Sequence, residues 1–378
     1  MARTQRLIST LVAAMGTSLL VGSVAHAQEP LVALEPELEG IITVEPGEDT
    51  LHDAVEEAEP GDTLVLEPGL YVLTHTVLIE KDLTIRGATE DREDVHIAGV
   101  SEDFDFEPEI FGDEVEDLVN WGHLLFVRAP AEKVSFSYFT IKGAPEIEAI
   151  TEDECAALPQ PGGPPDGPPV GLNHTECFGD AIHADGVAKV EVDHLEASLN
   201  GGNGIWVAGA QKATFYKILG VNNGAFGIDV DSALELSIRH STFIANQVSG
   251  VEAAGHELED PPLTRDQYVA KVSIKDTVAK GNSEIGIEVE RFRKAKIEDI
   301  TCQDNREDGF DADRVSELVI EDSAFINNLN DAIEVFPVDI VDPNEQPDEF
   351  PGSTIEDFDD LEFSGNVGEE INHPPTEN

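Results

Sequence analysis

The amino-acid sequence predicts an all-β solenoid, a parallel β-helix of 23-residue coils with a short helix capping its N-terminal end. Three observations predict it. An apolar residue that opens a short strand recurs at Ile182, Ile205, Ile228, Val251, Ile287, Phe310 and Ile333, in steps of 23, 23, 23, 36, 23 and 23. Asparagine keeps the same steps at Asn200, Asn223, Asn246, Asn282, Asn305 and Asn328. Each unit holds three short period-two strands and no helical period. Such a unit cannot bury its apolar face alone, whereas stacked units share one continuous core.

The chain opens with a basic start (Arg3, Arg6), an apolar run (Leu11 to Val24) and the small-residue site Ala25-His26-Ala27. This reads as a secretory leader over residues 1–27, too short to span a membrane and cut before Gln28, so a secreted or periplasmic location is expected. The expected β-helix domain is 28–366, with loop insertions at 100–121, 144–179 and 256–268 and a loose tail at 367–378. Residues 51–87 give an amphipathic helix and strands at Leu64/Leu66, Val77/Ile79 and Leu83/Ile85. The next coil gives Leu124/Phe126, Val134/Phe136 and Phe139/Ile141.

In the regular coils the opening residue is position zero, and it follows a small residue: Ala181, Gly204, Gly227, Gly250, Gly286, Gly309 or Ala332. Positions zero and two are apolar throughout, and so are eight and ten. Position fifteen reads Ala197, Gly220, Phe243, Ala279, Cys302 and Phe325, which makes Cys302 a core thiol. Cys155 and Cys177 bracket a Pro/Gly-rich stretch and are expected to pair in an oxidising compartment.

The outward positions one and three of the first strand are unusual. Position one reads His183, Trp206, Asp229, Glu252, Glu288, Asp311 and Glu334, and position three reads Asp185, Ala208, Asp231, Ala254, Glu290, Asp313 and Phe336. Nine of these fourteen are acidic and none is basic. The outward positions nine and eleven of the next strand have four acids and three bases in twelve. Carboxylates one coil apart repel by about 1 kcal/mol per pair in water and more at a low-dielectric surface. A divalent cation held by Asp229, Asp231, Glu252, Glu288, Glu290, Asp311 and Asp313 would offset that, with Ca2+ the expected ion. A saline-adapted surface neutralised by diffuse salt is the other reading. The net charge of −56 disfavours nucleic acid and anionic membranes as partners, and no nucleic acid is expected.

Asp180, His183 and Asp185 place a histidine between two carboxylates, a candidate acid or base. Trp206, one coil on, is a candidate sugar platform, with an aromatic stacking plug as the equal alternative. Arg291 and Arg314 share one position in adjacent coils, each after a carboxylate, which simple charge pairing also explains.

The A-V-E-E-A helix, Pro60-Gly61-Asp62-Thr63, Glu67-Pro68-Gly69-x-Tyr71 and the strand ending in Gly87 resemble the cap and first coil of right-handed parallel β-helix proteins of the pectin-lyase-like superfamily, whose members include pectate lyases and alginate epimerases. The resemblance covers most of 41–366. It implies a site on the outward face of one sheet, with calcium on a substrate uronate and Arg291 or Arg314 as a lyase base. CFGDAIHAD is similar to the Asp/His cluster of alginate epimerases, with Phe178 where a tyrosine is wanted. The expected function is calcium-dependent binding of an acidic polysaccharide along the first-strand face, with cleavage or C5-epimerisation as its chemistry. The alternative is a non-catalytic scaffold for a glycan or a protein partner.

Overall fold

Period-two alternation turns the zero and two positions inward, and the computed structural model shows them closing one long core. It describes residues 40–99, 123–143, 179–255, 270–336, 355–368 and 370–372. The leader, both cysteines of the Pro-rich insertion and nearly all of the three insertions lie outside the described residues. Ten first strands pair in parallel, from Val77–Ile79 and Leu125–Arg128 through Ile182–Asp185, Ile205–Ala208, Ile228–Ala233, Val251–Gly255, Ile287–Glu290, Phe310–Asp313 and Ile333–Phe336 to Ile371–Asn372. The paired chain thus runs past residue 366, the bound expected from the sequence. Second and third strands form two further parallel columns, joined by the ten-residue strands Lys133–Lys142 and Lys189–Ser198. Inward columns match the expected register, including Ala279↔Cys302↔Phe325, and Cys302 is fully buried.

One expected coil is off by a residue. The sequence suggested Leu124/Phe126 as a strand pair, but Leu125 and Val127 align with Ile182 and Ala184, while Phe126 aligns with His183 on the outer face. Four apolar residues in a row, Leu124 to Val127, offer no alternation, so sequence alone could not settle their facing.

The cap helix spans Thr50–Glu57 and buries Leu51 and Val55 at i, i+4 spacing. The Lys81 Nζ caps its C-terminal end by donating to the carbonyls of Val55, Glu56 and Ala58 at 3.0, 3.2 and 2.9 Å.

The asparagine column is a hydrogen-bonded ladder. Each Nδ2 donates to the Oδ1 of the next coil at 2.9 to 3.1 Å, from Asn200 to Asn328, and Asn366 adds a last rung that the sequence reading missed. The same Oδ1 atoms accept the backbone N–H of the preceding rung. The small residue before position zero now has its reason. A Cβ on Gly250 would sit 2.6 Å from the Gly286 carbonyl oxygen and 3.0 Å from the Asn282 Nδ2. Gly250→Ala should therefore force the ladder apart and cost about 3 kcal/mol, read as a lowered urea midpoint. Ala181 and Ala332 stand near the two ends of the column.

Candidate functional site

Every residue at position one leaves the core because its two neighbours enter it. The register then makes these residues a single row: Phe126, His183, Trp206, Asp229, Glu252, Glu288, Asp311 and Glu334 are consecutive Cα partners. The row changes character midway, from aromatic rings to carboxylates. The neighbouring stripe does not run as the sequence suggested. Between Val230 and Ala233 the pairing shifts, Ser232 takes a positive φ of 62°, and Asp231 loses Ala254 as its partner. Ala254 is buried and keeps the expected pairing with Glu290, which is followed by Asp313 and Phe336. A bulge of this kind carries no sequence mark here.

The carboxylate half is electrostatically tense. Burial, then Glu290 and Asp231, raise Glu252 to about 7. Burial and Glu252 raise Glu288 to about 9. Burial, Glu334 and Asp308 raise Asp311 to about 8. Burial and Glu252 also push Asp229 well above the usual carboxylate range. Near neutral pH Glu288 and Asp311 hold protons unless cations replace them, and Glu252 is near its midpoint.

The two candidate arginines are already engaged with carboxylates. Arg291 Nη2 lies 3.4 Å from Glu290 and 3.9 Å from Asp231, and Arg314 Nε donates to Asp313 at 2.9 Å. Asp185 is exposed on the neighbouring stripe, aligned with Arg128 and Ala208.

The aromatic end is more organised than the sequence suggested, because it includes His123. Asp180 is buried, its Oδ1 accepting the backbone N–H of Asn203 at 2.6 Å and its Oδ2 lying 2.8 Å from His183 Nδ1. His123 Nδ1 accepts the Asp180 N–H at 3.0 Å, so that nitrogen carries a lone pair and the His123 proton sits on Nε2. Near neutral pH Asp180 is a carboxylate and His183 a neutral ring, so His183 donates from Nδ1 to Asp180 and carries its lone pair on Nε2. Its ring is sandwiched between His123 (centroids 4.1 Å apart) and Trp206 (4.0 Å, stacked). Burial lowers His183 to about 3 and raises Asp180 to about 6.

His123 belongs to a column two residues before position zero, which the sequence reading did not follow. It reads His123, Asp180, Asn203, Phe226, Ser249, Ile285, Asp308 and Asp331. Where it is acidic the motif is D-x-apolar-[H/D/E]: Asp180-Ala-Ile-His183, Asp308-Gly-Phe-Asp311 and Asp331-Ala-Ile-Glu334. The local geometry repeats, since Asp308 Oδ1 accepts the Asp331 N–H at 2.7 Å just as Asp180 takes Asn203. His123, Asp180 and His183 bring three ligand atoms within 4.8 Å, as do Asp308, Asp331 and Glu334. In the first group the His123 nitrogen that faces Asp180 is committed to a backbone N–H, which disfavours a metal. The carboxylate half offers only hard oxygen donors, and Asp311 Oδ1 is buried with no hydrogen-bond partner among the described residues. Those residues fit a calcium-type ion.

A family described as the right handed beta helix region matches residues 172–261. No curated protein matches the chain. Among solved structures, the chain is similar to the A-module of the Azotobacter vinelandii mannuronan C-5 epimerase AlgE4, at 11% identity over 85% of this chain and 91% of that one, with a TM-score of 0.39. It is similar to the catalytic domain of a GH87 α-1,3-glucanase at 10% identity over 92% of this chain and 67% of that one, TM-score 0.38. A PL6 family alginate lyase matches at 11% identity over 89% of this chain and 38% of that one, TM-score 0.37. The parallel register of its stacked strands, with the right-handed family match over residues 172–261, makes the chain a right-handed parallel β-helix protein. No helix among the described residues is long and apolar enough to cross a membrane.

Proposed function

We propose that the outward row from His183 to Asp311 is the binding groove of a secreted protein for an acidic polysaccharide, and that the Asp180–His183 pair moves a proton on the bound chain. The observation that carries this is the row itself, with a base, an aromatic platform and a line of carboxylates in one register. From His183 to Asp311 it covers five coil steps, roughly 24 Å, long enough for several sugar units. A polyanion would be repelled by a chain of net charge −56 unless cations stood between them. Asp229, Asp231, Glu252, Glu288, Glu290, Asp311 and Asp313 would hold Ca2+, which when bound neutralises both the row and a uronate carboxyl. Trp206 offers an apolar ring edge to a pyranose, and His183 Nε2 accepts a proton while Asp180 holds Nδ1–H. Arg291 and Arg314 position carboxylates in this reading, since a paired guanidinium keeps its proton.

The test is binding to alginates, pectins and neutral glycans in calcium and in EDTA, followed by absorbance near 235 nm for elimination and NMR of the product for C5 inversion. Trp206→Ala should weaken glycan binding about tenfold. His183→Asn should keep binding and abolish turnover. The rate should fall as pH drops through about 6, because protonating Asp180 releases the His183 N–H that it orients. Calcium-independent binding, or none to any acidic glycan, would sink the reading. The pairing of both arginines favours a second reading, a non-catalytic scaffold, in which binding persists and neither product forms.

A further inference from the structure

We infer that the outer face of the second strands carries a separate anion slot, built for a compact, multiply charged oxyanion of the phosphate or sulfate class. The residue that opens each second strand reads Lys133, Lys189, Lys212, Glu235, Lys271, Lys294 and Glu317, and these are consecutive Cα partners. Five of the seven are lysine, in a chain of 78 acidic and only 22 basic residues. Lys133, Lys189 and Lys212 stack on three successive coils, and Lys271 faces Lys294 directly. Coils stand about 4.8 Å apart, so ammonium groups on neighbouring rungs repel one another. The stripe lies on a different sheet from the acidic row.

A slot of about 350 Å3 opens in the middle of this stripe. Lys212, Lys271, Lys294 and Lys296 surround it with a single carboxylate, that of Glu235, which gives the lining a formal charge of +3. Ser237 and Ser273 line it too, as direct partners in the register. Lys212 pairs with Glu235 at 3.8 Å, and Lys294 with Glu317 at 3.6 Å. Lys296 meets Glu298 at 2.9 Å and Glu321 at 3.3 Å. Glu298, Glu317 and Glu321 stand outside the lining. Lys271 forms no ion pair among the described residues, although its neighbours in the register are Glu235 and Lys294. A carboxylate answers one of these charges, whereas a phosphate or sulfate group brings about two and offers oxygens on every side. Lysine suits such a ligand, being a point charge with three donors and no fixed fork. The two serine hydroxyls supply neutral donors for the remaining oxygens. The net charge of −56 does not forbid this, because at physiological salt charges farther than about 8 Å are largely screened.

The probes are inorganic phosphate and sulfate, titrated calorimetrically into the full chain after passage over a chelating resin. No soluble chelator is present, since it would itself be a polyanion, and sodium chloride holds the ionic strength constant. Without divalent cations the carboxylate row is out of play, so this result and the glycan result can fail separately. Saturable binding is expected. The double variant Lys271→Gln, Lys294→Gln should weaken it at least tenfold and keep the wild-type urea midpoint, since both side chains are exposed. Lys280→Gln, at an exposed lysine of a third strand, should bind as wild type does. Glucose 6-phosphate separates the sources: binding tighter than that of free phosphate through the same lysines assigns the slot to an ester, and weaker binding assigns it to the free ion. Wild-type affinity in the double variant would overturn the slot. So would acetate at equal ionic strength displacing phosphate as well as sulfate does, because the stripe would then act by screening alone.

Discussion

Asn246→Ala is expected to lower the unfolding free energy by about 4 kcal/mol, the largest effect of any single side chain in the stack. Asn246 is fully buried in mid-ladder. Its Oδ1 accepts from the Asn223 Nδ2 at 3.0 Å and from the Asn223 backbone N at 3.2 Å. Its Nδ2 donates to Asn282 Oδ1 at 3.1 Å and Gly220 O at 3.4 Å. Alanine leaves two donors and two acceptors facing a small void in the core, and unsatisfied buried groups cost about 1–3 kcal/mol each, partly relieved by a trapped water. Urea unfolding followed by circular dichroism measures it, with the exposed neighbour Gln247→Ala as a control that should change little. A midpoint for Asn246→Ala equal to that of the control would show that the ladder contributes order without stability.

Stripped of divalent cations, the protein is expected to be most stable near pH 4–5 and to lose on the order of 5 kcal/mol by pH 9. Glu252, Asp311 and Glu288 keep their protons in the folded state up to about 7, 8 and 9. In the unfolded chain such groups ionise near 4. Between those limits the folded state binds more protons than the unfolded one, so stability falls as pH rises. Repulsion along the row acts in the same direction. Saturating Ca2+ should abolish most of the loss, because the ion replaces the protons. Thermal midpoints from pH 4 to 9, with and without Ca2+, give the answer, and Glu288→Gln should flatten the calcium-free curve. A calcium-free protein equally stable at pH 5 and pH 9 would mean that water relaxes the row.

Several elements were legible because they depend on spacing alone. A 23-residue step returns the chain to one azimuth, so the inward pairs, the asparagine rungs and the carboxylate row could be placed without coordinates. The row is a single line in the structure, with Asp229, Glu252 and Asp311 one beneath another. Reading failed where spacing is silent. Leu124 to Val127 gave no alternation, and Phe126 turned out to face His183. The column of His123, Asp308 and Asp331 sits in turns, where no strand period marks it. His123 follows a long insertion, which removes it from any count of 23.

By itself the sequence determined the solenoid, its core columns and which side chains share its acidic face, because periodicity is a property of the chain. Only the tertiary structure decided what those side chains do to one another. It buried Asp180 under the next coil so that it grips His183, set His123 and Trp206 against that ring, paired Arg291 and Arg314 with acids, and left one oxygen of Asp311 without a donor among the described residues. Burial and hydrogen-bond direction arise from atoms of different coils meeting, and a period fixes which residues meet but not the angle at which they do.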